Sequence, residues 1–274
     1  MPSSASLLHP DVSSPLCFRE RARQLAAAAR PVVENVVVVD RTDSTQACAL
    51  RLVEQAEREE LSLPTTVVIA DRQDSGIARR GRAWQSPAGG LYLSWLTPSL
   101  DRDALSALPM VAGAAAWSAI TDLGIEGASI KWPNDILVGG RKLAGILINV
   151  RHGEKVWATV GIGVNLGEAP QIDNGTGLRA TAVAELLADG TTDGWAEQLV
   201  RALVTGLAEG IRNPSKAVAL WAEKLGHAAG DEITVRTGDA PTVRGRFTGV
   251  TDAGHLRLEV DGIETVIVAG DVVE

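Results

Sequence analysis

The sequence predicts an α+β fold: strands packed with helices in one main unit, the stretches between residues 129 and 166 forming a mostly antiparallel meander, followed by a small C-terminal β-barrel. Three observations carry the prediction. Strand-like and helix-like stretches alternate over residues 32–70, and three β-rich stretches follow one another closely between residues 129 and 166. From Gly230 onward the chain reads only as short strands separated by Gly/Asp turns. That last segment, of about 45 residues, is near the lower size limit for independent stability and is expected to dock on the larger unit.

Residues 1–18 are rich in Ser and Pro and read as mobile, and RERARQLAAAAR (19–30) reads as a short helix by propensity. The fold proper is expected to start after Pro31, with VVENVVVVD (32–40) as a strand. DSTQACALRLVEQAER (43–58) reads as a helix in which Asp43 caps and Gln46 reaches back. TTVVIA (65–70) and GGLYLSWL (89–96) are further strands, and the Gly/Arg-rich loop between them is where a site could be built. In DALSALPMVAGAAAWSAITDL (103–123), Leu105, Leu108, Ala112, Ala115 and Ala119 recur at helical spacing, with Asp103 as cap, which suits packing on the sheet. SIKWPNDILV (129–138), KLAGILINV (142–150) and KVWATVGIGVNL (155–166) form a meander with turns at Gly139-Gly140 and His152-Gly153. A helix over 195–211 aligns Trp195, Leu199, Leu203, Leu207 and Ile211, and Asn213-Pro214 starts another that ends near Leu225. The domain plan is a mobile segment and short helix (1–31), a main unit (32–226) and a small β unit (227–274).

With 274 residues, 45% of them hydrophobic, the chain can bury a core without staples. Cys17 and Cys48 have no metal-ligand or disulfide spacing, which fits a reducing cytoplasm. No secretory pattern opens the chain and no apolar run approaches the roughly 18 residues of a span, so no membrane partner is expected. A net charge of −8 argues against nucleic acid as a partner.

Against that acidic background, RQDSGIARRGRAW (72–84) concentrates four arginines. Arg79, Arg80 and Arg82 suit a loop that closes on a phosphate or carboxylate, although such loops are as often solvated surface. Lys131, Asn134, Asp135 and Lys142 fall within a dozen residues, and a hairpin at Gly139-Gly140 turns both lysines toward one cavity. A lysine in the apolar strand KLAGILI either snorkels or meets an anion. Gly161, Gly163 and Gly167 do not make a dinucleotide fingerprint. They serve either close sheet packing or close approach of a ligand.

DST (43–45), the stretch RQDSGIARRGRAWQSPAGGLYLS (72–94), KWPND (131–135), KLAGIL (142–147) and GIGVNL (161–166) stand in the order and spacing of biotin protein ligases. The chain resembles that family over about residues 32–274, and KWPND followed by KLAGIL is specific to it. The resemblance implies a mixed sheet with helices, related to class II aminoacyl-tRNA synthetases and lipoate ligases, plus an SH3-like C-terminal barrel. It implies an enzyme that makes biotinyl-5′-AMP from biotin and ATP, then moves biotin to one lysine of the biotin carboxyl carrier domain of an acyl-CoA carboxylase. By the same resemblance Ser44, Thr45, Gln73, Gly76 and Gly163 contact biotin, Arg79 holds the intermediate's phosphate, and Lys142 bridges the biotin carboxylate and the α-phosphate. Arg82, Trp84, Lys131, Asn134 and Asn165 match the nucleotide side, and Asp135 matches the carboxylate that receives the carrier lysine. Magnesium accompanies ATP, with ligands that no carboxylate cluster reveals.

Two departures stand out. The family usually reads GRGRRGR where this chain has Gly76-Ile77-Ala78-Arg79-Arg80-Gly81-Arg82, so a charge and a hinge are lost. If Ala78 needs a positive φ it is strained, which predicts weaker retention of biotinyl-AMP. Gln46 stands where Asn is usual. Some relatives carry an N-terminal winged helix-turn-helix, for which the residues before the first strand are too few, so no repressor function is expected. Dimerisation through the central sheet is common in relatives, and the residues name no interface. The rivals are a lipoate or octanoate ligase, whose pocket would need no partners for a ureido ring, and a homologue that binds biotin without catalysis.

Overall fold

The computed structural model describes residues 15–61, 63–98, 100–152, 156–171, 178–238 and 241–273. Its helices are α1 (Pro15–Ala29), α2 (Thr45–Arg58), α3 (Arg102–Asp122), α4 (Val183–Leu186), α5 (Trp195–Arg212) and α6 (Pro214–Glu223). The larger sheet comprises β1 (Asn35–Thr42), β2 (Thr66–Gln73), β3 (Leu91–Pro98), β4 (Ala128–Lys131), β5 (Asp135–Val138), β6 (Arg141–His152) and β7 (Val156–Val164), in the order β1-β2-β3-β7-β6-β5-β4. β1 and β2 are parallel and joined by α2, the crossover that such a pair requires, and the other neighbours are antiparallel. The expected β-rich stretch 129–138 is two strands, parted at Trp132-Pro133, where proline cannot donate to the ladder.

Side-chain alternation explains the glycines of β7. Ile162 and Val164 point to the face where Ile69, Leu91, Leu93 and Ile146 meet α3 and α5 in the main core. The opposite face carries a cross-strand row of Ala70, Tyr92, Gly163, Gly145 and Asp135. α2 covers part of that face through Ala49 and Val53, packed against Val68, Leu96 and Trp157. The small residues of the row leave a trough beside α2.

Several expectations need correction. α1 starts at Pro15, not at residue 19, and belongs to the fold: Leu25, Ala28 and Ala29 are buried in the main core and Arg21 pairs with Asp71. The fold therefore does not start after Pro31. Residues 1–14 and Gly153 of the expected turn lie outside the described residues. Ser44, not Asp43, caps α2, accepting from the Gln46 amide at 3.2 Å, because the Asp43 carboxylate turns to Arg51. Gln46 does not reach back; its side chain donates to the Leu147 carbonyl at 2.8 Å. Asp101, not Asp103, caps α3. α3 also has the length and apolarity of a membrane span, which the sequence reading denied to every segment. It is the core helix here, with Leu108, Ala112, Ala116 and Ile120 fully buried against the sheet, α5 and α6.

The C-terminal strands are β8 (Glu232–Arg236), β9 (Val243–Val250), β10 (Leu256–Val260), β11 (Ile263–Ile267) and β12 (Asp271–Val273), antiparallel in the order β11-β10-β9-β8-β12. β12 was not foreseen. Ile233, Val235, Phe247, Leu256 and Leu258 belong to the same continuous core as the larger sheet. Trp132 closes the contact, its indole N–H donating to the Gly254 carbonyl at 2.9 Å.

Candidate active site

The loop after β2 folds back on itself as a narrow hairpin. Ala78 N donates to Arg82 O and Trp84 N to Gly76 O, each at 2.8 Å, with Ile77 bridged to Ala83. The strain expected at Ala78 is absent, because its φ of −112° is extended backbone. The left-handed turn falls instead on Arg80 (φ 58°) and Gly81 (φ 70°). The hairpin lays Trp84 across the trough, so close that a Cβ added at Gly145 or Gly163 would sit 2.7 Å from its indole. Of Gly161, Gly163 and Gly167, only Gly163 meets Trp84, and there both readings coincide, since close packing by Trp84 shapes the cavities.

Trp84 divides the trough in two. The larger cavity, about 280 Å³, is lined by Arg82, Trp84, Lys131, Asn134 and Asn165, the five residues expected on a nucleotide side, together with Asp135 and Asp271. The smaller, about 40 Å³, is lined by Ser44, Thr45, Gln73 and Gly163, joined by Gln46, Ile77 and Tyr92. Arg79, Asn134 and Lys142 line both. Gly76 lies behind the wall, where a Cβ would stand 2.3 Å from the Trp84 carbonyl.

The small cavity is edged by neutral groups bound to one another. Ser94 Oγ donates to Thr45 Oγ1 at 2.8 Å, Thr45 N donates to Gln73 Oε1 at 2.8 Å, and Gln73 Nε2 donates to Ser86 Oγ at 2.7 Å. Ser86 Oγ in turn donates to the Trp84 carbonyl at 3.1 Å. Such a chain fixes donor and acceptor directions before any ligand arrives. Ser86 and Ser94 lie inside the stretch 72–94, where no spacing marked them as site residues.

Charge gathers where the cavities join. Lys142 Nζ lies 2.6 Å from Asp135 Oδ1 and 5.1 Å from the centre of the Trp84 ring, so the lysine meets an anion instead of snorkelling. Lys131 stands opposite Asp135 in backbone register across the β4–β5 turn, and both lysines line the larger cavity as expected. Asn134 donates to the Ile146 carbonyl at 2.7 Å and accepts from Arg79, while Asn165 donates to the Lys142 and Thr181 carbonyls. Arg79 is largely buried, which pulls its pKa down while the Asp271 charge opposes the shift; a guanidinium stays charged regardless. The arginine loop is therefore not mere solvated surface.

At the rim, two hydrogen bonds from Arg51 hold Asp43 well below the usual carboxylate range, with the Ser44 amide and Thr42 hydroxyl helping. A depressed carboxylate stabilises the fold above its unfolded value, near pH 4, and the effect is lost as pH falls through the lower folded value. An NMR titration of the Asp43 carboxyl carbon is expected to show a midpoint below that of the Arg51→Met variant, where it returns toward about 4.

The model of the biotin/lipoate A/B protein ligase family matches residues 38–165. Over 253 residues the chain is 34% identical to the biotin–[acetyl-CoA-carboxylase] ligase of Paracoccus denitrificans, covering 85% of this chain and 97% of that one. The chain belongs to the biotin protein ligase family. A second biotin–[acetyl-CoA-carboxylase] ligase, from Mycobacterium tuberculosis, is 31% identical over 246 residues, or 86% of this chain and 87% of that one. The biotin protein ligase of Aquifex aeolicus, solved in complex with biotin and ATP, superposes with a TM-score of 0.66 at 25% identity, covering 87% of this chain and 97% of that one. The mixed sheet with helices and the C-terminal antiparallel sheet are thus this ligase family's architecture.

Proposed function

We propose that the protein activates biotin with ATP as biotinyl-5′-AMP and transfers biotin to a lysine of the biotin carboxyl carrier domain of acetyl-CoA carboxylase. The observation that carries this reading is the junction, where Arg79, Asn134 and Lys142 belong to both cavities. A carboxylate at the end of one substrate and the α-phosphate of another would meet there. Biotin's uncharged ureido ring suits the neutral set Ser44, Thr45 and Gln73. One carboxylate oxygen attacks the α-phosphorus, pyrophosphate leaves, and Lys142 stabilises the charge that builds on the phosphoryl oxygens. In the second step the carrier amine attacks the acyl carbon, AMP leaves, and Asp135 accepts the amine's proton.

At about 40 Å³ the smaller cavity is narrow for a bicyclic ring, and Trp84 with its hairpin is the wall that would shift to admit one. Magnesium would arrive on the triphosphate. Among the described residues no three His, Cys, Asp or Glu side chains gather to hold a metal, and Asp135 and Asp271 are already ion-paired. Phosphate oxygens and water would be its chief ligands.

The test is mass spectrometry of a carrier domain incubated with the protein, ATP and magnesium, with biotin in one tube and lipoate in another. A mass gain of one biotin, and none with lipoate, is expected. Transfer of lipoate alone overturns the reading, as does a carrier left unmodified while calorimetry still shows biotin bound.

A further inference from the structure

Three guanidinium groups of the hairpin converge on one carboxylate far along the chain. Arg79 Nη1, Arg80 Nη1 and Arg82 Nη2 lie 3.1, 3.3 and 3.3 Å from the Asp271 oxygens. Asp271 is 13% exposed and opens β12, where it is paired in register with Arg236 of β8. Arg79 also donates to the Gly270 carbonyl at 3.2 Å, so Asp271 and the residue just before β12 grip the same side chain.

Like charges packed this closely repel, and the hairpin has few bonds of its own to resist. One carboxylate joins the three cations yet leaves the group net positive. Each guanidinium has five donors, so several remain for an incoming anion. Neither the KWPND nor the GIARRGRAW motif supplies this carboxylate.

We infer that Asp271 is a positioning residue for the anionic substrate: through it the C-terminal sheet holds Arg79 and Arg82 in the wall of the larger cavity. It acts through those arginines and touches no reacting atom. The inference rests on the ligase reading and adds to it a residue that sets how nucleotide and adenylate are retained. Charge is what the position needs, so Asp271→Asn removes the function while Asp271→Glu keeps it.

Both variants are compared with the wild type as full chains. Asp271→Asn is expected to raise the KM for ATP and the release rate of biotinyl-AMP about tenfold, the KM for biotin staying within about twofold. Asp271→Glu returns both to near wild type. With no substrate present, hydrogen exchange at the Ala78 and Trp84 amides is expected to accelerate in Asp271→Asn and not in Asp271→Glu. An unchanged KM for ATP with unchanged exchange overturns the inference. So does a KM for ATP that falls, which would make Asp271 a competitor of phosphate, and so does a biotin KM that rises as much as that of ATP, the mark of general damage. If the wild type forms no biotinyl-AMP, the ligase reading fails by itself, and the exchange measurement still decides whether Asp271 holds the hairpin.

Discussion

Lys142→Ala is expected to slow formation of biotinyl-AMP by about a hundredfold or more at saturating biotin and ATP, the loss typical of one charge-stabilising group in a desolvated site. The Lys142 side chain is 12% exposed, is fixed by Asp135 at 2.6 Å, and lines both cavities, where Arg79 is the other cation. Removing it also strands Asp135, itself only 16% exposed, and a stranded charge destabilises on its own account. The double variant Lys142→Ala/Asp135→Asn separates the effects. Pyrophosphate release measured by stopped flow should stay slow in both variants, while the melting temperature recovers in the double one. Recovery of the rate along with stability would remove Lys142 from the chemistry.

Gly163→Val is expected to abolish tight biotin binding and to destabilise the fold by about 1–3 kcal/mol, the usual cost of overpacking. A Cβ at Gly163 would lie 2.7 Å from both Cε2 and Nε1 of Trp84, and the valine methyls reach further still. Trp84 would be pushed off the sheet, and the partition between the cavities would go with it. Gly167→Ala is the control. Its Cβ would come no nearer than 3.7 Å to the Gly89 carbonyl, so stability should change by less than about 0.5 kcal/mol. Calorimetry with biotin and a urea melt read the two effects separately, and normal biotin affinity in Gly163→Val would show that Trp84 does not shape the site.

Much of this was legible in the residues. The β-branched runs 65–70 and 142–150 became β2 and β6 with small shifts at their ends, and the apolar face of residues 195–211 became α5. Local signals served poorly where several polar residues competed for one task. Asp43, Ser44 and Thr45 could each have capped α2, and the choice fell to Ser44 because Arg51, about two turns on, claims Asp43. On the site, residues clustered in sequence were found clustered in space. Ser94, Ser86 and Asp271 were missed because their roles come from register and docking. The one sign of Asp271 was an aspartate opening a short apolar segment after Gly270, which a turn explains equally well.

The Arg79–Asp271 link spans 192 positions. Contacts so far apart in sequence close late, because the intervening chain must first be ordered. During synthesis at 5–20 residues per second, the arginine hairpin leaves the ribosome roughly 10–40 s before the carboxylate that secures it. A nascent chain therefore holds Ser44, Thr45, Gln73, Lys131 and Lys142 well before its arginines have their anchor. Competence to retain an activated intermediate would then arrive later in synthesis than the pocket that makes it.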